Sequence, residues 1–201
     1  MKAGKTFLIT ALLFLFLHSS GVAAKMANDG AETAGNGKGP LVIYYSRTGS
    51  TRWVAEELTR GLAAVCVEIQ SKKDRAGVIG GFTCVLDQLL DRDDEQKKPA
   101  VDLSAYDPVI IASPIWIHRL SSPVRTFLKQ ANLAGKAVYF VLTYHGHQTD
   151  ADEKEMKTKI RSCGIDLKGI YKLNTKNKDE NHIRVAAVQL ATAFDRRLVK
   201  R

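Results

Sequence analysis

Six consecutive residues, Ser46 to Thr51, carry the side chains in this sequence that are best placed to bind a ligand. None of the six is a carboxylate. Four are hydroxyls, those of Ser46, Thr48, Ser50 and Thr51. An apolar run at 41–45 precedes the segment and an amphipathic helical pattern follows it, so the segment opens a helix at the end of a strand. Because unpaired backbone N–H groups at a helix N-terminus favour phosphate, the pattern predicts a phosphate loop.

The other two residues of the segment fit the same interpretation. Gly49 lets the backbone come close to a ligand, while Arg47 either adds positive charge or points into solvent. A nucleotide P-loop would end in Gly-Lys-Ser/Thr, and neither that ending nor the glycine pattern of dinucleotide sites is in the sequence. Helix capping is the competing explanation of the hydroxyls, but one cap accounts for one hydroxyl and not for four.

Five short apolar runs alternate with amphipathic segments after the first 39 residues. The expected strands are 41–45, 64–69, 108–113, 137–143 and 166–173. The expected helices lie around 54–62, 78–91, 123–131, 150–164 and 183–198. Nearly continuous apolar runs are typical of parallel strands covered on both faces, and the alternation predicts a three-layer α/β/α sandwich. Charged residues in the second and fifth runs place those two strands near the sheet edges.

Two segments resemble the flavodoxin family. The sequence Ser-Arg-Thr-Gly-Ser-Thr at 46–51 is similar to the flavodoxin phosphate loop, Ser/Thr-x-Thr-Gly-x-Thr, at all of its specified positions. The segment from Tyr106 to Gly146 resembles flavodoxin-like flavoproteins in which a Ser/Thr-Pro-x-Trp loop flanks the flavin ring and a Pro-Val-x-x-Phe-Leu helix follows. The resemblance extends over residues 40–199, and the two motifs together are more specific than either alone.

The resemblance implies a noncovalent FMN cofactor and a five-stranded parallel sheet in the order 2-1-3-4-5. It places the phosphate of FMN on residues 46–51. Two loops would flank the flavin ring: Ser113-Pro114-Ile115-Trp116 after the third strand and Thr143-Tyr144-His145-Gly146 after the fourth. Backbone N–H groups of these loops would meet the polar edge of the ring, whose electronic properties the protein tunes. Trp116 and Tyr144 are the expected aromatic neighbours of the ring. A place in the core is the alternative for Trp116, and a side chain that points away from the ring is the alternative for Tyr144.

The charge of the chain departs from that of flavodoxins that serve as soluble carriers. Those carriers are usually acidic around the flavin, whereas this chain has 30 Lys and Arg against 21 Asp and Glu, a net charge of +9. His118 and Arg119 follow Trp116 closely. A cation near the ring would stabilise its anionic reduced form and raise its potential. No inserted segment splits the last expected strand, which is typical of the short flavodoxins.

Three histidines, His118, His145 and His147, lie in the expected loops at this end of the sheet. No Asp, Glu or Cys is placed in the sequence to complete a ligand set with them, so we expect no metal site. Proton donation to a reduced flavin or to a quinone is the other chemistry open to these side chains. No catalytic residue is assigned from the sequence.

The N-terminal residues have the layout of a secretory signal peptide over 1–24. A basic start precedes an 11-residue apolar run, and small residues lead to a cleavage site between Ala24 and Lys25. The run is too short to cross about 30 Å of hydrocarbon, which disfavours an uncleaved anchor and leaves no stable membrane span after cleavage. Residues 25–39 are small, polar and Gly-rich, so we expect a flexible linker before one domain at 40–201. The sequence thus predicts an exported, periplasmic protein.

Composition narrows the remaining classes of partner and scaffold. Cys66, Cys84 and Cys163 are too few for a disulfide scaffold or a zinc site, although one disulfide between two of them stays open. Cys66 falls in an expected strand, where a free cysteine behaves as a small apolar residue. Lys and Arg are scattered and not interleaved with aromatic residues, so we expect no nucleic acid partner.

Three functions remain open at this point. An electron carrier would expose the flavin edge and dock redox proteins, here acidic ones. An FMN-dependent oxidoreductase would need a pocket for a second planar substrate, such as a quinone-like small molecule, and no residue set for a nicotinamide nucleotide is visible. The third possibility is a binding module that keeps the fold without the flavin.

Overall fold

The structure, a computed structural model, describes residues 39–73, 80, 83–84, 86–87, 90, 92–97 and 101–198, with side chains given up to 196. The expected signal peptide and the expected linker lie outside the described residues, except for Gly39. In the described part of the chain, no helix has the length and apolar character needed to span a bilayer.

Six strands and four longer helices make up the described fold. The strands are β1 Leu41–Tyr44, β2 Val65–Glu68, β3 Val109–Trp116, β4 Arg119–Leu120, β5 Ala137–Tyr144 and β6 Asp166–Asn174. The helices are α1 Ser50–Gly61, α2 Ser122–Gln130, α3 Asp150–Ser162 and α4 Glu180–Leu198, with a short 3-10 turn at Leu103–Ala105. Within the expected helix 78–91, the described residues Gly80, Thr83, Cys84, Leu86 and Asp87 are helical.

Five parallel strands lie in the order β2-β1-β3-β5-β6. This confirms the expected order 2-1-3-4-5, because β5 and β6 are the fourth and fifth strands of the sequence prediction. β2 and β6 form the two edges, as the charged residues within them predicted. The structure adds one strand that the sequence did not predict, the two-residue β4, which pairs antiparallel with the end of β3.

Alternate residues of each central strand face opposite layers of helices. In β1, Leu41 and Ile43 pack in the core under α2 and α3, while Val42 and Tyr44 pack in the core under α1 and α4. This alternation is the two-residue period of a strand buried on both faces. The helices α1 and α4 approach closely, since a Cβ built on Gly61 would lie 2.7 Å from the Cβ of Ala191. The expected three-layer sandwich is therefore confirmed.

The sequence prediction ended β3 three residues too early. Ser113, Pro114, Ile115 and Trp116 are not a loop but the last four residues of the strand. Proline has no backbone N–H and rarely continues a central strand, which is why the pattern pointed to an end at Ser113. Pairing of Pro114 with Thr143 of β5 and of Ile115 with Leu120 of β4 carries the strand onward. Tyr144 likewise ends β5 rather than lying in the following loop.

The cysteines also lie differently from expectation. All three are free, so the structure contains no disulfide among them. Cys66 lies in a strand, as expected, but this strand is the edge strand β2 and the residue is exposed. Cys163 is exposed as well, because it is the C-cap of α3 and not part of the buried face that Met156 and Ile160 provide.

An ion-pair network centred on the buried Glu57 joins α1 to α4. Glu57, which is 6% exposed, accepts hydrogen bonds from Arg60 and from Nη1 of Arg184 at 2.8 Å. Arg184 also contacts Glu56 at 2.6 Å and Glu180 at 2.7 Å. Burial acts to raise the pKa of Glu57, but the hydrogen bonds from Arg60 and Arg184 outweigh it and hold this pKa below its usual value. The ionised form of Glu57 is thus the one that the fold stabilises.

Replacing Glu57 with Gln is expected to cost about 2 kcal/mol of stability at pH 7, because two charged donors lose their anionic acceptor. The pKa of Glu57 is lower in the folded protein than in the unfolded chain. The ionised carboxylate therefore stabilises the fold above the unfolded-state pKa, and this stabilisation is lost as the pH falls through the folded-state pKa. Wild-type stability should therefore fall below about pH 4.5 more steeply than that of the variant, as measured by urea unfolding from pH 7 to pH 3. Glu95→Gln, at an exposed position, is the control. Equal acid slopes for wild type and Glu57→Gln would contradict the prediction.

Candidate functional site

The expected phosphate loop leaves β1 at the carboxyl edge of the sheet and enters α1. Gly49 is the N-cap of α1 with a φ of 101°, and no side chain caps this helix. Ser46 Oγ accepts a hydrogen bond from the backbone N–H of Gly49 at 3.1 Å. The first turn of α1 contains no acidic residue. The capping explanation of the four hydroxyls is therefore wrong, and the helix presents its N-terminus without a side-chain anion of its own.

The residues of this loop differ in exposure. Arg47 and Thr48 are exposed, Ser46 and Ser50 are half-buried, and Thr51 is 2% exposed. Arg47 has electrostatic or hydrogen-bonded neighbours of its own in the fold. The polar side chains of the loop thus range from solvent-exposed to buried.

Thr51 connects this loop to the second expected site segment. Its Oγ1 lies 2.7 Å from Oγ1 of Thr143 near the end of β5, and Thr143 is 3% exposed. The structure therefore brings together two segments, 46–51 and 143–146, that the sequence could assign only separately to one site. Tyr144, the next residue, is half-buried, while His145 and Gly146 form an exposed bend.

Arg52 is a charged neighbour of the loop that the sequence analysis did not single out. Its Nη2 forms an ion pair with Oε1 of Glu68 at 3.0 Å, at the end of the adjacent strand β2. The hydrogen bond to Glu68 raises the pKa of Arg52. The guanidinium of Arg52 is therefore held toward β2, and the carboxylate of Glu68 partly neutralises its positive charge near the loop.

Trp116 lies at the carboxyl end of β3 and is half-buried. Its ring packs edge-to-face on Tyr45, with ring centroids 5.7 Å apart and an angle of 85° between the planes. Tyr45 is 5% exposed and supports Trp116 from the core side. It was not among the site residues expected from the sequence. Trp116 combines the two roles considered for it, since it packs on the core while part of it stays open to solvent.

Ser113 and Ile115 lie deeper than the prediction placed them. The Ser113 hydroxyl is fully buried, donates to the carbonyl of Pro114 at 2.9 Å and lies 3.2 Å from Ser121 Oγ. Ile115 packs against the core cluster on the α2 and α3 face. Of the segment 113–116, only Ser113 is fully buried, and Trp116 is the residue at the carboxyl end of the strand.

A two-residue hairpin turn follows Trp116. Ile117 and His118 have φ values of 45° and 62°, and Trp116 pairs with Arg119 across the turn. Positive φ at both central residues identifies a type I′ turn, which Asn-Gly or Gly-Gly sequences usually form. A β-branched residue with positive φ is strained, and Ile117 is also 44% exposed. No hairpin signal is present in the sequence, because the usual turn residues are absent.

The hairpin is held against α3 by ionic contacts. His118 Nδ1 lies 3.0 Å from Oδ2 of Asp152, and Arg119 lies 4.0 Å from Glu155. Asp152 also completes a capping box with Thr149. Hydrogen bonds from the backbone N–H and the hydroxyl of Thr149 hold the pKa of Asp152 below its usual value, and His118 adds a smaller effect in the same direction. Because Asp152 is an anionic acceptor, Nδ1 of His118 donates and Nε2 is left as the second site of proton exchange.

These contacts correct the expectation about the charge near Trp116. Among the three histidines, the carboxylate of Asp152 pairs with His118 alone and does not join all three in a ligand set. Both His118 and Arg119 are paired with acidic side chains, so the local excess of positive charge is smaller than the sequence implied. In the described residues, no group of three or more His, Cys, Asp or Glu side chains is arranged to hold a metal ion.

Replacing Ile117 with Asn is expected to stabilise the protein by about 1 kcal/mol, because Asn tolerates the left-handed conformation better than a β-branched residue. Thermal and urea unfolding measure this gain. Ile117→Val is the matched control, since valine keeps the β-branch and should bring no gain. A loss of stability in the Asn variant comparable to a core substitution would show that the exposed isoleucine side chain is held by contacts that outweigh the turn strain.

The described domain matches known flavoproteins in sequence pattern and in fold. A family model described as flavodoxin matches residues 39–185. A structure described as a flavoprotein from Bacteroides uniformis is 23% identical, with a TM-score of 0.62 over 75% of this chain and 97% of that one. A flavoprotein from Lactobacillus acidophilus, solved in complex with FMN, is 22% identical with a TM-score of 0.55 over 67% of this chain and 93% of that one.

A further likeness extends to flavodoxin 2 from Bacillus cereus, which is 19% identical with a TM-score of 0.50 over 80% of this chain and 99% of that one. No curated protein gives a significant match. At these identities the solved structures establish the fold, while the match over 39–185 establishes the family.

Proposed function

We propose that this chain, which belongs to the flavodoxin family, binds FMN noncovalently at the carboxyl edge of its sheet and serves in electron transfer. The observation that carries the proposal is the N-terminus of α1, which no side chain caps and whose N-cap Gly49 has a φ of 101°. This geometry turns backbone N–H groups toward an anion with no steric cost at the N-cap.

The residues present fit a phosphate on one side of the site. The first turn of α1 has no carboxylate to repel an anion, and the hydroxyls of Ser46, Ser50 and Thr51 lie at its mouth or just inside it. Arg47, exposed on the loop, adds a positive charge. We propose that residues 46–51 hold the phosphate and that its charge is balanced by the helix N-terminus and by Arg47.

The residues present also fit a planar ring beside this phosphate. Trp116 offers a partly open aromatic surface that Tyr45 keeps in place from below. Tyr144, His145 and Gly146 lie at the end of the neighbouring strand β5. We propose that segments 113–116 and 143–146 flank the ring, with Trp116 and Tyr144 as the aromatic neighbours and backbone N–H groups at its polar edge.

When bound, FMN supplies reversible transfer of one or two electrons. The protein's own side chains then orient the ring, exclude water from its buried side and manage protons. His118 is the candidate for proton exchange, because Asp152 accepts the proton of its Nδ1 and the second ring nitrogen, Nε2, remains to exchange a proton with the ring or its acceptor. The pairing of His118 and Arg119 with carboxylates moderates any rise of the reduction potential that cations would cause.

The proposal extends to two classes of acceptor, a quinone-like small molecule and a redox partner protein. We favour an FMN-dependent oxidoreductase with a quinone-like acceptor. Steady-state turnover of a quinone with a two-electron donor supports this class, whereas turnover that requires an added acidic redox protein supports a carrier. A protein that fails to bind FMN in the titration described next would instead support the flavin-free binding module.

Titration of the purified protein with FMN tests the proposal. We expect quenching of flavin fluorescence and a shifted absorbance spectrum that saturate at one FMN per chain. Riboflavin, which lacks the phosphate, should bind more weakly. Protein that stays colourless and leaves the fluorescence unchanged would contradict the proposed function.

We further propose that the protein acts outside the cytoplasm, in the periplasm, on the basis of the signal-peptide layout of residues 1–24. Mass spectrometry of the native protein should find an N-terminus at Lys25. A native protein that retains residues 1–24 would contradict export by cleavage at this position.

A further inference from the structure

Two buried hydroxyls meet where the phosphate loop touches the strand β5. Thr51 is the second residue of α1, Thr143 is the penultimate residue of β5, and their Oγ1 atoms are 2.7 Å apart. The two side chains are 2% and 3% exposed. A hydrogen bond of this length between buried groups has to be directed, with one hydroxyl donating and the other accepting.

The pair has one more proton than the contact uses. Each hydroxyl carries one proton and can also accept, and the contact consumes a single donor. Within the described part of the chain, neither hydroxyl makes another hydrogen bond. If Thr51 donates to Thr143, the spare proton lies on the β5 side of the pair. If Thr143 donates to Thr51, the spare proton lies on Thr51, inside the expected phosphate loop.

We propose that Thr143 is a positioning residue that donates to Thr51 and thereby commits Thr51 to donate to a bound phosphate. This inference rests on the proposed function and deepens it, since it names a further residue that favours binding of the phosphorylated flavin. A phosphate dianion only accepts hydrogen bonds, so a hydroxyl that faces it must be the donor. Thr51 can donate its proton to the phosphate and still keep its hydrogen bond with Thr143 only when Thr143 is the donor in that bond.

The chain Thr143 to Thr51 to phosphate is stronger than either link alone. Donation by Thr143 polarises the Thr51 hydroxyl, and hydrogen bonds in series reinforce one another in a buried, low-dielectric setting. The contact also joins residues 92 positions apart, which ties the phosphate segment to the segment expected beside the ring. If the contact were only a structural tie between α1 and β5, its removal should weaken FMN and riboflavin binding alike. An effect on FMN alone therefore separates the two roles.

The test compares the affinities of FMN and riboflavin for the full chain and for Thr143→Val. Valine keeps the shape of threonine and removes the donor. We expect FMN affinity to fall about tenfold while riboflavin affinity stays within about twofold, since the lost interaction is one hydrogen bond that acts on a charged group. Thr143→Ser, which keeps the hydroxyl, should bind both flavins like the wild type.

Thr126→Val is the matched control, because Thr126 is equally buried at 2% exposed, accepts from the Asp94 N–H at 2.8 Å and lies on α2. It should leave both affinities unchanged. Should Thr143→Val fail to fold, Thr143→Ala provides the same comparison with a smaller side chain. A second readout is thermal stabilisation by inorganic phosphate, which should be present in the wild type and reduced in Thr143→Val.

Each outcome decides the matter. An equal loss of FMN and riboflavin affinity in Thr143→Val, or no loss at all, would overturn the inference while the wild-type titration still supports the proposed function. Wild-type protein that binds neither flavin would overturn the proposed function and this inference together. Loss confined to FMN, with recovery in Thr143→Ser, would establish the role of Thr143.

Discussion

Replacing Gly49 with Ala is expected to weaken FMN binding by about ten- to a hundredfold, because the N-cap of α1 would have to leave its left-handed conformation. Gly49 has a φ of 101°, and an added Cβ would lie 3.4 Å from the ring of Trp53. The contact itself is tolerable, so the backbone conformation is the main source of the effect. When the loop relaxes, the N–H groups at the start of α1 no longer converge on one point. Riboflavin, which has no phosphate to lose, should be affected far less.

Gly135→Ala is the matched control for this substitution. Gly135 also has a positive φ, 72°, but it lies between α2 and β5, and nothing lies within 4 Å of an added Cβ. Each substitution should destabilise the fold by about 1–2 kcal/mol through the cost of a left-handed L-residue. Only Gly49→Ala should lose affinity for FMN. A Gly49→Ala protein that binds FMN within about twofold of the wild type would show that the phosphate lies elsewhere.

The parts of the site that are contiguous in the chain could be predicted from the sequence. Residues 46–51 follow a buried strand and begin a helix, and that strand–turn–helix order already places a helix N-terminus at the carboxyl edge of a parallel sheet. No distant contact is needed for the inference. The order of the five parallel strands was implied by the resemblance to flavodoxins, and the structure agrees with it.

The parts that depend on distant contacts could not be predicted. The Thr51–Thr143 contact joins residues 92 positions apart, and the His118–Asp152 contact joins residues 34 apart. Pattern reasoning fixes which residues share a face, but it does not fix which two side chains meet across elements. The capping box at Thr149 and Asp152 was the available signal for the second contact, since it places a carboxylate at the start of α3.

The hairpin after β3 escaped prediction for a different reason. Pro114 indicated the end of a strand, and Ile117-His118 does not resemble the sequences that form type I′ turns. Here tertiary pairing overrides local preference, because pairing with β5 reaches Pro114 and pairing with β4 continues the strand to Trp116. The consequence for the site is that Trp116 lies on a paired strand supported by Tyr45, and not on a loop that could move independently of the sheet.

Replacing Trp116 with Leu is therefore expected to lower the affinity for FMN and for riboflavin alike, by about ten- to a hundredfold, because stacking of a planar ring on an aromatic side chain is worth about 1–3 kcal/mol. The wall is rigid in the wild type, since Trp116 is held by β-pairing and by its edge-to-face contact with Tyr45. Leucine keeps an apolar contact with the core but removes the flat surface. Equilibrium titration with the two flavins measures both affinities.

Trp116→Phe is the control that separates stacking from packing. Phenylalanine keeps an aromatic face and should retain most of the affinity for both flavins, whereas loss of the tryptophan edge against Tyr45 should lower stability in both variants by about 0.5–1.5 kcal/mol. The pattern also differs from that of Gly49→Ala, in which only the phosphorylated flavin is affected. If Trp116→Leu bound FMN and riboflavin as tightly as the wild type, the flavin ring could not stack on Trp116 and would have to lie away from β3.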